Sequence, residues 1–323
     1  MNLIVLASLI PVILLIATGF IASRAQWLRP ESIKDLSLLV FFALTPALMF
    51  RTMSRVHLDQ LDLRPIAAYF PAAILLFAAV IAWNGLTRRA AAMAISATFG
   101  NTVAIGIPLV GLAYGDAGLV TLFTLVAVHA LILLTLTTMV FELAVAREAV
   151  RASAQEGPGA AQPPRHLAVN VLLALRNGII HPATLPTLLG LAFALTGWTM
   201  PSVLDRTLLL MSQAMGPLAL MLVGAALAGS RVGEQLKPAL VLTLLKNAVL
   251  PVLVALSGWL LGLSGMTLTV MIIAAAMPIG ANAFMFAQRY NVAQELVTAG
   301  VALSTGLALV TVSIVMAIAA MLG

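Results

Sequence analysis

Ten long apolar stretches constrain the fold of this chain more than any other feature of its sequence. An α-helix needs about 17 to 25 apolar residues to cross a bilayer, and hydrocarbon forces such a stretch to satisfy its backbone hydrogen bonds internally. Only 9% of the residues are charged, against about 25% in soluble domains. The sequence therefore predicts an all-α integral membrane protein with ten transmembrane helices, over residues 2–22, 33–50, 65–84, 91–113, 117–145, 168–195, 203–228, 239–262, 267–288 and 296–321.

The two halves of the chain match each other at a constant offset of 171 positions. This offset relates the rare residue Trp27 to Trp198, and it relates Gly19 to Gly190. It also relates three pairs of prolines, Pro11 and Pro182, Pro30 and Pro201, and Pro46 and Pro217. Five spans in each half give the second half the opposite orientation, which is the inverted repeat typical of alternating-access transporters. We therefore predict a first repeat over 1–145, a cytoplasmic linker over 146–167 and a second, inverted repeat over 168–323.

Basic residues are distributed unequally between the two sides of the predicted spans. Twelve lie on one side and four on the other, and Lys246 falls inside a span. Because Lys and Arg accumulate on cytoplasmic loops, both termini are predicted outside and the linker in the cytoplasm. The formal charge of +6 forms no continuous basic stripe, so no nucleic-acid partner is expected. The larger set is Arg24, Arg29, Lys34, Arg88, Arg89, Arg147, Arg151, Arg165, Arg176, Arg231, Lys237 and Arg289, and the smaller is Arg51, Arg55, Arg64 and Arg206.

Two apolar spans are interrupted by glycine and proline at corresponding places of the two halves, within residues 99–109 and 277–286. Proline removes a backbone donor and clashes with the preceding helical turn, so Pro108, with the adjoining Gly106, and Pro278 predict helix breaks. Broken spans at matched positions are the best sequence indication of the substrate site of a secondary transporter. We therefore predict that the two breaks line a cavity.

Polar residues at these breaks suit an anion. The N-terminal ends of half-helices carry partial positive charge and bind anions through free N–H groups. Asn101 and Asn282 offer amide donors there, beside Thr102 and Gly280. These four residues are predicted to contact the substrate. The alternative for the two amides is that they only cap the broken helix ends.

Ionisable residues inside spans are candidates for function. His129 is predicted to contact an anion or relay a proton, or else to be a neutral, hydrogen-bonded residue between helices. Lys246 is predicted to attract an anion or act as a structural cation, or else to reach the interface by snorkelling. No Asp or Glu lies deep in any predicted span, which argues weakly against coupling to Na⁺ or H⁺. No cofactor and no metal are expected, and the chain has no cysteine.

Residues 101–109 and 278–291 resemble two motifs of the auxin efflux carrier family, Asn-Thr-x-x-x-Gly-Ile-Pro-Leu and Pro-x-Gly-x-x-x-Phe-x-Phe-Ala-x-x-Tyr-Asn. Gly100 and Ala283 stand where plant members carry proline, so both are candidate break residues. The resemblance implies a scaffold of spans 1, 2, 6 and 7, on which a homodimer forms. It also implies a transport unit of spans 3–5 and 8–10, in which spans 4 and 9 cross at their breaks. The substrate would lie beside this crossover and move by an elevator mechanism.

These observations together predict a secondary transporter of a small organic anion, a carboxylate or an auxin-like acid, and not an enzyme. Its partners would be the anion and the lipid bilayer of the plasma membrane, the inner membrane of a bacterium. A potential of 100 mV, inside negative, drives a monovalent anion outward with about 2.3 kcal/mol, which favours uncoupled export. The alternatives are a Na⁺- or H⁺-coupled importer of malate or malonate, and a channel or ligand sensor on the same fold.

Overall fold

A computed structural model of the protein describes residues 3–55, 62–156, 176, 180, 184–229 and 235–322. Its elements are helices, so the predicted all-α fold is confirmed for the described residues. Four π-helical turns, at Val40–Leu44, Thr102–Gly106, Ala130–Leu134 and Leu245–Val249, interrupt or begin longer helices. The α-helices are α1 Leu3–Arg24, α2 Pro30–Leu39, α3 Thr45–Met53, α4 Arg64–Asn84, α5 Arg88–Thr98, α6 Ile107–His129, α7 Thr135–Glu156, α8 Thr184–Leu195, α9 Ser202–Ala228, α10 Leu236–Leu244, α11 Leu250–Leu260, α12 Gly265–Ala276, α13 Ala281–Arg289 and α14 Gln294–Leu322.

Several helical stretches in the described residues are long and apolar enough to cross a bilayer. Five qualify by length and composition, and Gln294–Ala308 with Val310–Ile318 form a sixth that is bent by 48°. One of the five, Thr102–Glu148, is kinked at Gly115, whose φ and ψ of 61° and −157° are not helical and which lies between the predicted fourth and fifth spans. The predicted fourth and ninth spans do not qualify as single helices, because each is cut by a non-helical segment. Most of the first part of the predicted sixth span, residues 168–183, lies outside the described residues. The five stretches are Pro30–Met53, Arg64–Asn84, Thr102–Glu148, Ser202–Ala228 and Leu236–Leu260.

The helix at the end of the predicted fifth span continues beyond the apolar residues of that span. Helix α7 continues to Glu156, beyond residue 145 and into the segment predicted as a linker. Ala, Arg and Glu dominate this extension, and they are good helix formers even where no apolar face is buried. The remainder of the predicted linker, residues 157–167, lies outside the described residues.

Close helix crossings occur at two glycines that are related by the repeat offset. A Cβ atom on Gly19 of α1 would lie 1.8 Å from the carbonyl oxygen of Met221 on α9. A Cβ on Gly190 of α8 would lie 2.6 Å from the carbonyl oxygen of Phe50 on α3. Met221 and Phe50 are themselves 171 positions apart. The contact of Gly19 with Met221 and the contact of Gly190 with Phe50 are therefore equivalent under the internal repeat. In each of them, a glycine of one half approaches a backbone carbonyl of the other half.

Polar contacts at one end of the bundle tie α3 to α9. Arg51 Nε donates to Asp205 Oδ1 at 3.0 Å, and Arg55 Nη2 donates to the same carboxylate oxygen. At other places, polar contacts link α11 to α4, α5 to α7, and the residue that follows α13 to α7. Ser257 Oγ donates to the carbonyl oxygen of Ala68, Arg88 Nε donates to Glu148, and Tyr290 Oη donates to Glu142.

Candidate functional site

The two predicted breaks meet each other across the fold. Helix α5 ends at Thr98 and α12 ends at Ala276, and an extended segment follows each of them. Asn101 N–H donates to the carbonyl oxygen of Pro278 at 2.7 Å, and Gly280 N–H donates to that of Phe99 at 2.9 Å. These bonds make an isolated antiparallel bridge between Gly100 and Ile279. We call residues 99–101 and 277–280 the crossing segments.

Backbone groups that the breaks remove from helices find partners without the two asparagine side chains. The crossing segments pair with each other, and Ile279 N–H donates to Ser304 Oγ on α14 at 3.0 Å. The side chain of Asn101 makes no capping hydrogen bond to the π-helical turn that follows it. Because buried backbone groups are nearly always paired, this arrangement leaves the Asn101 amide available for a ligand.

The predicted break residues occupy different places around the crossing segments. Gly100 and Pro278 lie within them. Gly106 ends the π-helical turn Thr102–Gly106, Pro108 is the second residue of α6, and Ala283 is the third residue of α13. These last three residues are therefore helical, and the non-helical backbone of the two breaks is confined to the crossing segments.

A cavity of about 490 Å³ lies against the crossing segments. Its polar end contains six residues that the sequence predicts for the site, Gly100, Asn101, Thr102, His129, Gly280 and Asn282. Its opposite wall is mainly apolar and comes from α2, the turn Val40–Leu44 and α9, with Phe41, Leu222 and Val223 among its residues. The charged side chain on this wall is Lys34, which is exposed.

Among the residues that the structure describes, three buried polar atoms of cavity-lining residues have no hydrogen-bond partner. They are Thr45 Oγ1, Thr102 Oγ1 and His129 Nε2, on side chains that are 0%, 4% and 5% exposed. A buried donor or acceptor without a partner costs about 1 to 3 kcal/mol, and native proteins rarely retain one without a reason. These residues thus place unsatisfied polar groups in the wall of the cavity.

Thr45 and Lys34 are missing from the sequence prediction. Thr45 directly precedes Pro46, a proline of the internal repeat, in the middle of an apolar span. The sequence feature that indicates Thr45 is therefore a hydroxyl next to a proline of the internal repeat. Lys34 enters the sequence prediction only as a member of the larger, cytoplasmic set of basic residues.

We expect Thr45→Val to weaken transport without destabilising the protein. Valine keeps the volume of threonine and removes a hydroxyl that has no partner, so the thermal unfolding midpoint should stay unchanged or rise. If the hydroxyl bonds a carboxylate, its loss raises the apparent KM about tenfold. The measurement is the concentration dependence of transport in liposomes. Thr243→Val is the matched control, since that buried hydroxyl donates to the carbonyl oxygen of Ala239, and it should leave KM unchanged.

His129 lies among aromatic rings. Its ring centroid is 4.7 Å from that of Phe99, 5.4 Å from Tyr69 and 6.0 Å from Phe70. Nε2 of His129 has no hydrogen-bond partner among the described residues. At this atom the structure therefore does not show the predicted alternative, which was a neutral histidine hydrogen-bonded between helices. The imidazole lies in the wall of the cavity and is held by ring packing.

Lys246 does not snorkel to a membrane interface, so that alternative is wrong. Its side chain is completely buried, because the π-helical turn Leu245–Val249 directs it into the bundle. Its Nζ donates to the carbonyl oxygen of Ala275, next to the crossing segments. It does not line the cavity.

Comparisons with known proteins place this chain among transporters. The model of a family described as "Membrane transport protein" matches residues 4–316. "Auxin efflux carrier component 8" of Arabidopsis thaliana is 25% identical, over 95% of each chain. "Putative malonate transporter" of Rhizobium meliloti (strain 1021) is 26% identical, over 93% of this chain and 91% of that protein. The resemblance carried by residues 101–109 and 278–291 is thus confirmed, and the chain belongs to the membrane transport protein family.

Proposed function

We propose that the protein carries a small organic anion, bound by its carboxylate at the cavity beside the crossing segments. The observation that carries this proposal is that one cavity is lined by Asn101 and Asn282 and also by Thr45, Thr102 and His129, each of which has a buried polar atom without a partner. Hydroxyl and amide groups supply donors for the oxygens of a carboxylate. Gly280 brings the start of α13, with its positive helix end, to the same place.

Alternating access is proposed to occur between a scaffold and a transport unit, built from ten spans in two inverted repeats over 1–145 and 168–323. The scaffold comprises α1, α2, α3, α8 and α9, and the transport unit comprises the other helices. The offset-related contacts of Gly19 and Gly190 support the repeat. The cavity supports an elevator movement, since it has the crossing segments on one side and α2 and α9 on the other. A homodimer would form through the scaffold.

The orientation with both termini outside and the central loop inside is supported by how charged residues group. Arg51 and Arg55, of the smaller basic set, share Asp205. Arg88, of the larger set, pairs with Glu148, which adjoins Arg147. Each ion pair thus links elements that the charge count assigns to the same side of the plasma membrane.

The substrate is proposed to be a monocarboxylate with an apolar body. The cavity has one polar end and a mainly apolar wall, and its volume lies in the range of sites for drug-sized ligands, about 300 to 1,000 Å³. A dicarboxylate is the second candidate, and Lys34 favours it, because this cation could meet a second carboxylate across the cavity. We propose uncoupled export driven by the membrane potential. Na⁺- or H⁺-coupled import is the alternative.

Solid-supported membrane currents from purified protein in liposomes test this function. We expect saturable currents for phenylacetate or indole-3-acetate without Na⁺, and a loss of at least tenfold in apparent affinity in Asn101→Ala. That magnitude follows from removing one hydrogen bond to a charged group, about 1.5 to 3 kcal/mol. Asn84→Ala is the matched control, since that amide donates to the carbonyl oxygen of Val80 at the end of α4.

Other outcomes select the alternatives. Currents for malonate and malate but not for the monocarboxylates would assign the dicarboxylate. A requirement for Na⁺ or a proton gradient would replace the uncoupled mechanism. Flux that never saturates would indicate a channel, and equal losses in Asn101→Ala and Asn84→Ala would remove the crossing segments from the binding site.

A further inference from the structure

Lys246 lies at the end of a helix. Helix α12 ends at Ala276, so the carbonyl oxygen of Ala275 is among the last four of that helix, which have no partner in the next turn. The C-terminal end of a helix carries partial negative charge and stabilises a cation. The hydrogen bond from Lys246 Nζ to this oxygen therefore gives the buried ammonium a favourable but only partial compensation.

No carboxylate pairs with Lys246 in the part of the chain that the structure describes. The ion pairs found there join Asp205 to Arg51 and Arg55, Asp62 to Arg64, and Glu148 to Arg88. Glu142 accepts from the hydroxyl of Tyr290 instead. In its protonated form, Lys246 is therefore a positive charge inside the bundle that no described carboxylate compensates, and a buried charge of this kind is costly unless it is paired.

Gly100 is the residue between this charge and the cavity. A Cβ atom built on Gly100 would lie 3.2 Å from Lys246 Nζ and 3.3 Å from Cε, and Gly100 itself lines the cavity. The ammonium is thus close behind the cavity wall at Gly100, where Thr102 Oγ1 also lies, 3.3 Å from the same Cβ position. Charges separated by a few ångströms away from bulk water interact strongly, so a carboxylate bound at Asn101 would feel this cation.

Lys246 belongs to the same packed unit as the crossing segments. The turn Leu245–Val249 packs against α5, α12 and α14. Asn247, the residue after Lys246, donates from its side-chain amide to the carbonyl oxygen of Ser304. The hydroxyl of the same Ser304 accepts from the N–H of Ile279 in the crossing segments. Any movement of the crossing segments across the membrane therefore moves the lysine with them.

We propose that Lys246 neutralises the bound carboxylate during translocation, so that the loaded transport unit crosses the membrane with no net charge. This inference rests on the proposed carrier function. The membrane potential then acts on the empty unit, which returns with the charge of Lys246 and no anion. For export into a positive exterior, the empty return moves one positive charge toward the negative interior, which the potential favours. One full cycle still moves one negative charge outward.

Tracer exchange at different membrane potentials tests this charge balance. The probe is radiolabelled phenylacetate or indole-3-acetate, whichever gives the larger current, at equal concentration on both sides of the liposomes. Protein-free liposomes correct for permeation of the neutral acid. Exchange uses only the loaded unit, whereas net efflux also requires the empty return. A tenfold potassium gradient with valinomycin sets the potential.

In the wild type we expect the exchange rate to change less than about twofold with the potential, while net efflux changes up to about tenfold. Lys246→Met keeps the length of the side chain and removes the charge, and it should make exchange depend on the potential. Lys246→Arg keeps the charge and should preserve the wild-type behaviour.

Two results separate failure of this inference from failure of the proposed function. Wild-type exchange that depends on the potential as strongly as net efflux does would overturn the role of Lys246 and leave the carrier standing, whether or not Lys246→Met folds. Absence of any exchange in the wild type would overturn the carrier function itself.

Discussion

Gly280→Ala is expected to abolish transport while leaving the helices of the protein formed. A Cβ at this position would lie 2.9 Å from the carbonyl oxygen of Gly100 and 3.1 Å from its carbonyl carbon. These are backbone atoms that cannot rotate away. The φ and ψ of Gly280, −78° and 151°, are open to any residue, so the restriction is steric. The crossing segments must separate, and the bonds from Asn101 N–H and Gly280 N–H must lengthen, at about 1 to 3 kcal/mol for each buried group left unpaired.

Helix content by circular dichroism, thermal unfolding in detergent and transport in liposomes check this prediction together. Gly306→Ala is the matched control, because that glycine lies inside α14 and a Cβ there meets no atom within 4 Å. We expect the control to transport normally and to be slightly stabilised, since alanine favours a helix more than glycine does. Normal transport by Gly280→Ala would show that the close pairing of the crossing segments is unnecessary.

Gly224→Ala is expected to destabilise the protein strongly. The new Cβ would lie 1.8 Å from the carbonyl oxygen of Ile16 and 2.9 Å from the N atom of Phe20, which are again backbone atoms. Helices α1 and α9 must move apart along their contact, and Gly19 on the other helix loses its own close approach. Overpacking typically costs about 1 to 3 kcal/mol, and we expect the upper end because nothing nearby can yield.

The thermal unfolding midpoint in detergent and the yield of monodisperse protein measure this cost. Gly229→Ala is the control near the end of α9, where a Cβ meets only the carbonyl oxygen of Ala226, at 3.8 Å. A midpoint for Gly224→Ala equal to that of Gly229→Ala would mean that α1 and α9 do not hold this crossing in the folded protein.

The position of the breaks could be predicted because their cause is local. Glycine and proline within residues 99–109 and 277–286 weaken helices through their own backbone properties. The exact residues could not, because Pro108 fits the first turn of α6 as well as it fits a break. Ala283 lies in α13 for a similar reason: only the pairing of Asn101 with Pro278 fixes where the extended backbone ends.

The hydrogen-bond partners of the polar groups in the site could not be predicted from the sequence. Asn101 had two roles on sequence grounds, and its capping role depends on whether other groups satisfy the broken backbone. Ser304, from a helix that follows the second break, supplies one of those groups. In the sequence, Thr45 looks like the many helical threonines whose hydroxyl donates to a carbonyl oxygen of the preceding turn. That its hydroxyl has no partner is visible only in the folded structure.

The sequence by itself determined the membrane-embedded helical character of this protein, its family and the places where two spans break. Hydropathy, helix-breaking residues and motifs are properties of short stretches, and they persist in any packing. The tertiary structure decided that the breaks pair with each other, that Thr45, Thr102 and His129 face one cavity, and that Lys246 is buried behind Gly100. Burial and hydrogen bonding at these residues depend on neighbours that are distant in sequence, so no local pattern could specify them.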